Sequence, residues 1–111
     1  MAENFLSPIP RSIKSRRSIT IIASLYNEEL VNALIDSTSN ELKRIIPNIA
    51  VSIYRVPGAF EIPLAAKRIA QLAQYKAAVT LGVVIKGDTP HFDFVAGECA
   101  RGIADVSLEY D

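Results

Sequence analysis

The sequence predicts an α/β fold, a three-layer α/β/α sandwich around a parallel sheet. Three observations carry that prediction. Short apolar runs rich in β-branched residues occur three times in 111 residues. Each run is followed by a longer segment whose apolar residues recur at helical spacing, and Pro, Gly or Asn marks the junctions. Alternation of this kind closes through right-handed crossovers, so the strands run parallel and their carboxyl ends emerge along one edge of the sheet.

The first strand is SITIIASL, Ser18 to Leu25, almost wholly apolar as befits a strand covered on both faces. Asn27 caps the helix that follows, and Glu28 and Glu29 suit its positive end. Leu30, Val31, Leu34, Ile35, Leu42 and Ile45 trace one apolar face of that helix before Pro47 closes it. The run IAVSIYRV, Ile49 to Val56, is the second strand, with Ile49, Val51 and Ile53 on one side; Pro57 and Gly58 break it. Past Glu61 the spacing turns helical: Pro63 fits a first turn, and Leu64, Ala65, Ile69 and Leu72 form the inward stripe. KAAVTLGVVI, Lys76 to Ile85, is the third strand. Gly87 permits a tight turn, and the third helix begins near Pro90 with His91 in its first turn. Phe92, Val95, Ala96, Cys99, Ile103 and Val106 share one side of it, and Gly97 and Gly102 allow close packing.

Residues 18–111 make one domain, preceded by residues 1–17 as a solvated tail or an arm reaching a neighbouring subunit. Twelve Lys plus Arg balance twelve Asp plus Glu, so no overall field favours nucleic acid or an anionic membrane. No run is long and apolar enough for a bilayer span or a secretory signal. Arg11, Lys14, Arg16 and Arg17 with interspersed serines imitate an organelle transit peptide, but Pro8 and Pro10 oppose an amphipathic helix there, and a cytoplasmic location is expected. Half of the residues are hydrophobic, which points to apolar surface buried against other subunits. The single cysteine, Cys99, excludes an internal disulfide framework, fits a reducing compartment and reads as a small buried hydrophobe rather than a nucleophile. One His and one Cys without repeated ligand spacing leave no zinc or haem signature.

Three loops face a common crevice at the strand carboxyl ends: Ser24 to Asn27, Val56 to Glu61 and Val84 to His91. Tyr26 either stacks a flat heterocycle or packs as a partly buried core aromatic. Gly58 and Ala59 expose backbone groups that suit a polyol or the edge of a planar ring. Glu61 reads by itself as an acid at the start of a helix, and alternatively as an acceptor for hydroxyl donors. In KGDTPH, Gly87, Thr89 and the free amides of the next helix form a small anion cradle with Lys86 nearby; Asp88 opposes a phosphate unless its carboxylate points away. The P-loop spacing and G-x-G-x-x-G are both missing from the sequence. His91 is either a loop-capping side chain or a proton-transfer group, since imidazoles as a class titrate near neutral pH. An aromatic platform, a polyol grip, an anion cradle and an imidazole together suit the joining of a ribityl-bearing heterocycle to a small phosphorylated partner.

VPGAFEIPLAAK (Val56 to Lys67), LGVVIKGDTPHFDFV (Leu81 to Val95) and SLYNEEL resemble signature segments of the 6,7-dimethyl-8-ribityllumazine synthases, and the resemblance spans Ile19 to Asp111. It implies a flavodoxin-like sheet and the condensation of 5-amino-6-(D-ribitylamino)uracil with 3,4-dihydroxy-2-butanone 4-phosphate, with release of phosphate and water and no metal or organic cofactor. By resemblance Tyr26 stacks on the pyrimidine, and Ala59, Phe60 and Glu61 meet the ribityl chain and ring. Val83, Val84 and Ile85 then present main-chain groups to the ring, Asp88 and Thr89 line the phosphate site, and His91 matches the general acid. Gly87 and Lys86 join the phosphate set from the local argument alone.

Leu25 and Tyr26 stand where many members carry Arg and Phe; the Tyr ring keeps the ability to stack. The chain stops at VSLEYD, where the family continues into another strand, a phosphate-binding arginine and a final helix. The expectation is therefore about the first two thirds of the enzyme, with an incomplete site, poor stability or aggregation of the chain alone, and weak or absent activity. Family members form pentamers, some of which assemble into decamers or hollow sixty-subunit shells, so a homo-oligomer is expected. The competing reading is a non-catalytic ribityl-pyrimidine-binding or assembly subunit. An electron-transfer flavodoxin shares the coarse topology and lacks support from the phosphate-loop pattern.

Overall fold

The computed structural model describes residues 18–72, 75 and 77–110, and the expected N-terminal arm lies outside the described residues. The elements follow in the order β1 (Ser18–Ser24), α1 (Glu28–Ile45), β2 (Ala50–Val56), a 3₁₀ turn (Ala59–Glu61), α2 (Ile62–Leu72), β3 (Ala77–Leu81) and α3 (His91–Tyr110). The three strands form one all-parallel sheet in the order β2-β1-β3. This is the expected α/β architecture, with β1 in the middle.

β1 alternates its side chains between two cores, as a central strand must. Ile21 and Ala23 pack with Val31 and Ile35 of α1 on one face. Ile22 packs with Ala59, Ile62, Ala66 and Ile69 on the other, where Val95, Cys99, Ile103 and Val106 of α3 complete the cluster. One helix therefore covers one face and two helices cover the other. That distribution makes three layers.

The apolar stripes of α1 and α2 differ from the expected ones. Val31 and Ile35 are buried on α1, whereas Leu30, Leu34 and Ile45 are exposed. Successive helical residues are about 100° apart, so the line through Leu30 and Leu34 points away from the sheet once Val31 and Ile35 are turned into it. On α2 the buried line is Ile62, Ala66 and Ile69, and Leu64 and Leu72 are exposed. Ile62, not named as a core residue by the sequence pattern, is nearly inaccessible because it closes the cluster under Ile22.

β3 is shorter than the expected Lys76 to Ile85, and Lys76 lies outside the described residues. Its pairing with β1 ends at Ala23↔Leu81, and β1 itself ends at Ser24. Residues 82–87 then have no neighbouring rung and leave the sheet, which frees their main chain. Of the two helical glycines, only Gly102 marks a close approach. A Cβ there would stand 2.6 Å from Pro63 Cβ and Cγ, whereas Gly97 faces open space.

Candidate functional site

Three loops converge at the carboxyl ends of the strands and line a cleft of about 480 Å³. Because the chain steps from β1 outward to β2 and then crosses back to β3, the junction of β1 and β3 is the point where the winding reverses. Open α/β sheets bind ligands at that point because the loops diverge there.

The β1 loop is the turn Leu25, Tyr26 and Asn27. Leu25 N–H donates to Val56 O at 2.7 Å and Tyr26 N–H to Pro57 O at 3.0 Å, which ties the turn to the β2 loop. Tyr26 is 73% exposed and lines the cleft, so its ring is a wall of the site and not a core aromatic. Asn27 adopts the left-handed conformation with φ 61°, which a short amide side chain tolerates better than most. It stands at the N-cap position of α1, and its carbonyl accepts the Val31 N–H at 3.1 Å. Its side chain makes no cap bond. Asn27 Nδ2 instead donates to Val83 O at 2.8 Å and joins the β1 loop to the β3 loop.

The β2 loop closes on itself. Gly58 N–H donates to Glu61 Oε1 at 2.8 Å, and Glu61 N–H donates to Gly58 O at 3.2 Å. This reciprocal pair explains why an acid sits four residues after Pro57, and it leaves Glu61 on the cleft wall. Ala59 is buried beneath the turn. Phe60 lines the cleft and stacks on Phe94 of α3, with ring centroids 5.8 Å apart and planes at 21°.

The β3 loop supplies Val83, Val84, Ile85, Gly87 and Thr89 to the lining, followed by His91, Phe92 and Val95 from α3. His91 N–H donates weakly to Thr89 Oγ1 at 3.5 Å, and Asp93 N–H to Pro90 O at 3.0 Å, so this end of α3 has a short turn of its own. The His91 ring is exposed at the cleft. Gly87 does not use a positive φ. Lys86 and Asp88 are exposed on the same loop and lie outside the lining; Lys86 Nζ stands 5.9 Å from the Phe92 ring centroid.

Cys99 is half-buried behind the cleft, and burial pushes its thiol up, which suits packing and opposes thiolate chemistry. Among the described residues no group of three or more His, Cys, Asp or Glu side chains is placed to hold a metal ion. No helix among them is long and apolar enough to cross a membrane.

The cleft thus brings together Tyr26, Ala59, Phe60, Glu61, Val83, Val84, Ile85, Gly87, Thr89 and His91 of the residues expected from sequence. Sequence reading missed Asn27 as a bridge between loops, because Val83 is 56 residues away in the chain. It also missed Phe92 and Val95 as lining, and Arg55, whereas Gly58, expected to offer its backbone to a ligand, does line the cleft. The Arg55 guanidinium donates through Nη2 to Ser24 O at 3.0 Å and through Nη1 to Asn32 Oδ1 at 3.1 Å. A comparison with family models matches residues 16–111 to the one described as 6,7-dimethyl-8-ribityllumazine synthase.

Proposed function

The chain belongs to the 6,7-dimethyl-8-ribityllumazine synthase family, and from that premise we propose that it condenses 5-amino-6-(D-ribitylamino)uracil with 3,4-dihydroxy-2-butanone 4-phosphate in riboflavin biosynthesis. The observation that carries the reading is a cleft onto which Tyr26, the Ala59–Glu61 turn, the Val83–Ile85 segment and His91 converge. A pyrimidine stacks on Tyr26 with its edge along the main chain of Val83, Val84 and Ile85. Residues 82–87 carry no ladder hydrogen bonds, so apart from Val83 O, which accepts from Asn27 Nδ2, their peptide groups are free to read a ring edge. Glu61 uses Oε1 to hold Gly58 and keeps its second oxygen for a ribityl hydroxyl.

The phosphorylated ketone lies toward the β3 loop, with Gly87 and Thr89 as near groups and Lys86 and Asp88 at the rim. In the reaction an amine adds to the ketone, the carbinolamine loses water, phosphate leaves by elimination, and the second amine closes the ring with loss of water. Each step moves a proton. His91, exposed at the cleft and next to the phosphate loop, gives and takes those protons. Holding both reactants in one cleft supplies the rest of the acceleration.

By the same family reading the working form is cytoplasmic and a homo-oligomer, a pentamer or a decamer or sixty-subunit shell built from pentamers. The exposed apolar side chains Leu25, Leu64, Phe94 and Leu108 support burial between subunits. Light scattering on the purified protein measures that mass.

The activity test is a mixture of the protein with both substrates, followed by the absorbance of the lumazine and by phosphate release. Product and phosphate appearing together, and only with both substrates, is the expected result. Tight binding of the ribitylaminouracil without product would replace the enzyme reading by the binding-subunit reading.

A further inference from the structure

We propose that Arg55 is a positioning residue for Tyr26, fixing the ring platform from the side of the sheet opposite the cleft; the inference rests on the substrate-binding reading above. Arg55 does not line the cleft. It sits on β2 in register with Ala23, and its side chain reaches the next residue of β1, where Nη2 donates to the Ser24 carbonyl at 3.0 Å. Nη1 reaches Asn32 Oδ1 on α1 at 3.1 Å. One planar guanidinium thus grips the last peptide of β1 and the early part of α1, and the turn Leu25 to Asn27 lies between those two points.

That turn needs an external hold for two reasons. Asn27 is in the left-handed region, an uncommon state for a residue with a side chain. Tyr26 is 73% exposed, so packing restrains its ring little and the backbone sets its position. The cleft side of the turn is held by Asn27 Nδ2 on Val83 O, and its edge by the Leu25 and Tyr26 N–H groups on β2. Arg55 supplies the remaining side. A hydrogen bond from a charged donor is stronger than a neutral one, and the fixed fork of a guanidinium satisfies two acceptors at once, which an ammonium on a flexible stem does poorly.

Two variants test the strut. Arg55→Met keeps much of the apolar stem and removes the head; Arg55→Lys keeps the charge and loses the fork. Hydrogen exchange reads the turn without reference to catalysis. In Arg55→Met the amides of Leu25 and Tyr26 are expected to exchange about 10-fold faster, with those of α2 and α3 unchanged, and Arg55→Lys falls between it and the wild type. In steady-state assays the KM for the ribitylaminouracil rises roughly fivefold in Arg55→Met, while the KM for the butanone phosphate stays constant. Unchanged exchange at Leu25 and Tyr26 overturns the proposal, as does faster exchange throughout α2 and α3, and so does a joint rise of both KM values. If Arg55→Met does not fold, Arg55→Lys decides on the same two amides: selective acceleration supports the strut, and wild-type exchange overturns it. A wild type that makes no lumazine overturns the functional reading, and the exchange data then judge the strut alone.

Discussion

His91 occupies the first position of α3, exposed at the cleft and tied to Thr89 of the β3 loop through its own backbone. Its removal is expected to touch proton transfer more than affinity. His91→Ala should lower kcat by about 10²- to 10⁴-fold and leave the dissociation constant of the ribitylaminouracil within a few-fold, read by single-turnover kinetics and equilibrium titration. Asn27 carries two separable duties, a left-handed backbone and the bond to Val83 O. Asn27→Gly removes only the bond and should cost about 1 kcal/mol of stability. Asn27→Ala adds the left-handed penalty and should cost about 2–3 kcal/mol, both measured by denaturant unfolding. Equal losses in the two variants would show that the backbone state is not under strain. The identity of Tyr26, Glu61 and His91 as site candidates was legible in the sequence, because loops after parallel strands meet at one edge. The roles of Asn27 and Arg55 were not. An Asn before a helix reads as a cap, and an Arg inside a β-strand reads as a solvated face, until the distant partners are in place.

At the scale of elements, the helices were legible in position and less so in rotation. A 3.6-residue pattern with apolar side chains on adjacent lines, such as Leu30 beside Val31, allows either line to face inward, and only the neighbouring strand chooses. The α2–α3 contact is similar. Gly97 and Gly102 look alike in sequence, yet Pro63 stands against Gly102 alone. Gly102→Ala should therefore force the helices apart and lower stability by about 1–3 kcal/mol despite the better helix former. Gly97→Ala meets nothing and should raise stability by about 0.5–1 kcal/mol. Thermal unfolding of the two variants checks the pair; a stabilising Gly102→Ala would mean that α3 slides past Pro63 at little cost.

At the scale of the whole molecule, the formal charges cancel and the observed ion pairs lie on helix surfaces: Glu41 with Arg44, Glu98 and Asp105 with Arg101, and Lys67 with Glu109. The Arg44 and Arg101 guanidinium groups beside Glu41 and Glu98 hold both carboxyls below the usual carboxylate range. A lowered folded pKa stabilises the folded state above the unfolded value of about 4.3 and loses that contribution as pH falls through the lower folded value. Both pairs are exposed, so the loss is small. The melting temperature should thus hold nearly level from pH 7 to about 5 and decline below about 4, with Glu41→Gln and Glu98→Gln together only softening the decline. Melts across that range check it, and a steep fall above pH 5 would locate the responsible group elsewhere.

The sequence by itself determined the alternation of strands and helices, the parallel sense of the sheet and the edge at which the cleft-lining loops gather, because these depend on local periodicity and on the handedness of crossovers. It also carried the signature segments that place the chain in its family. Tertiary structure alone decided the strand order β2-β1-β3, which puts the reversal of winding between β1 and β3 and opens the cleft there. It decided too that β3 ends at Leu81, freeing residues 82–87, and that Asn27 and Arg55 brace the turn bearing Tyr26. These features depend on which neighbours an element finds in space, and a hydrogen bond spanning 56 residues leaves no local trace in the chain.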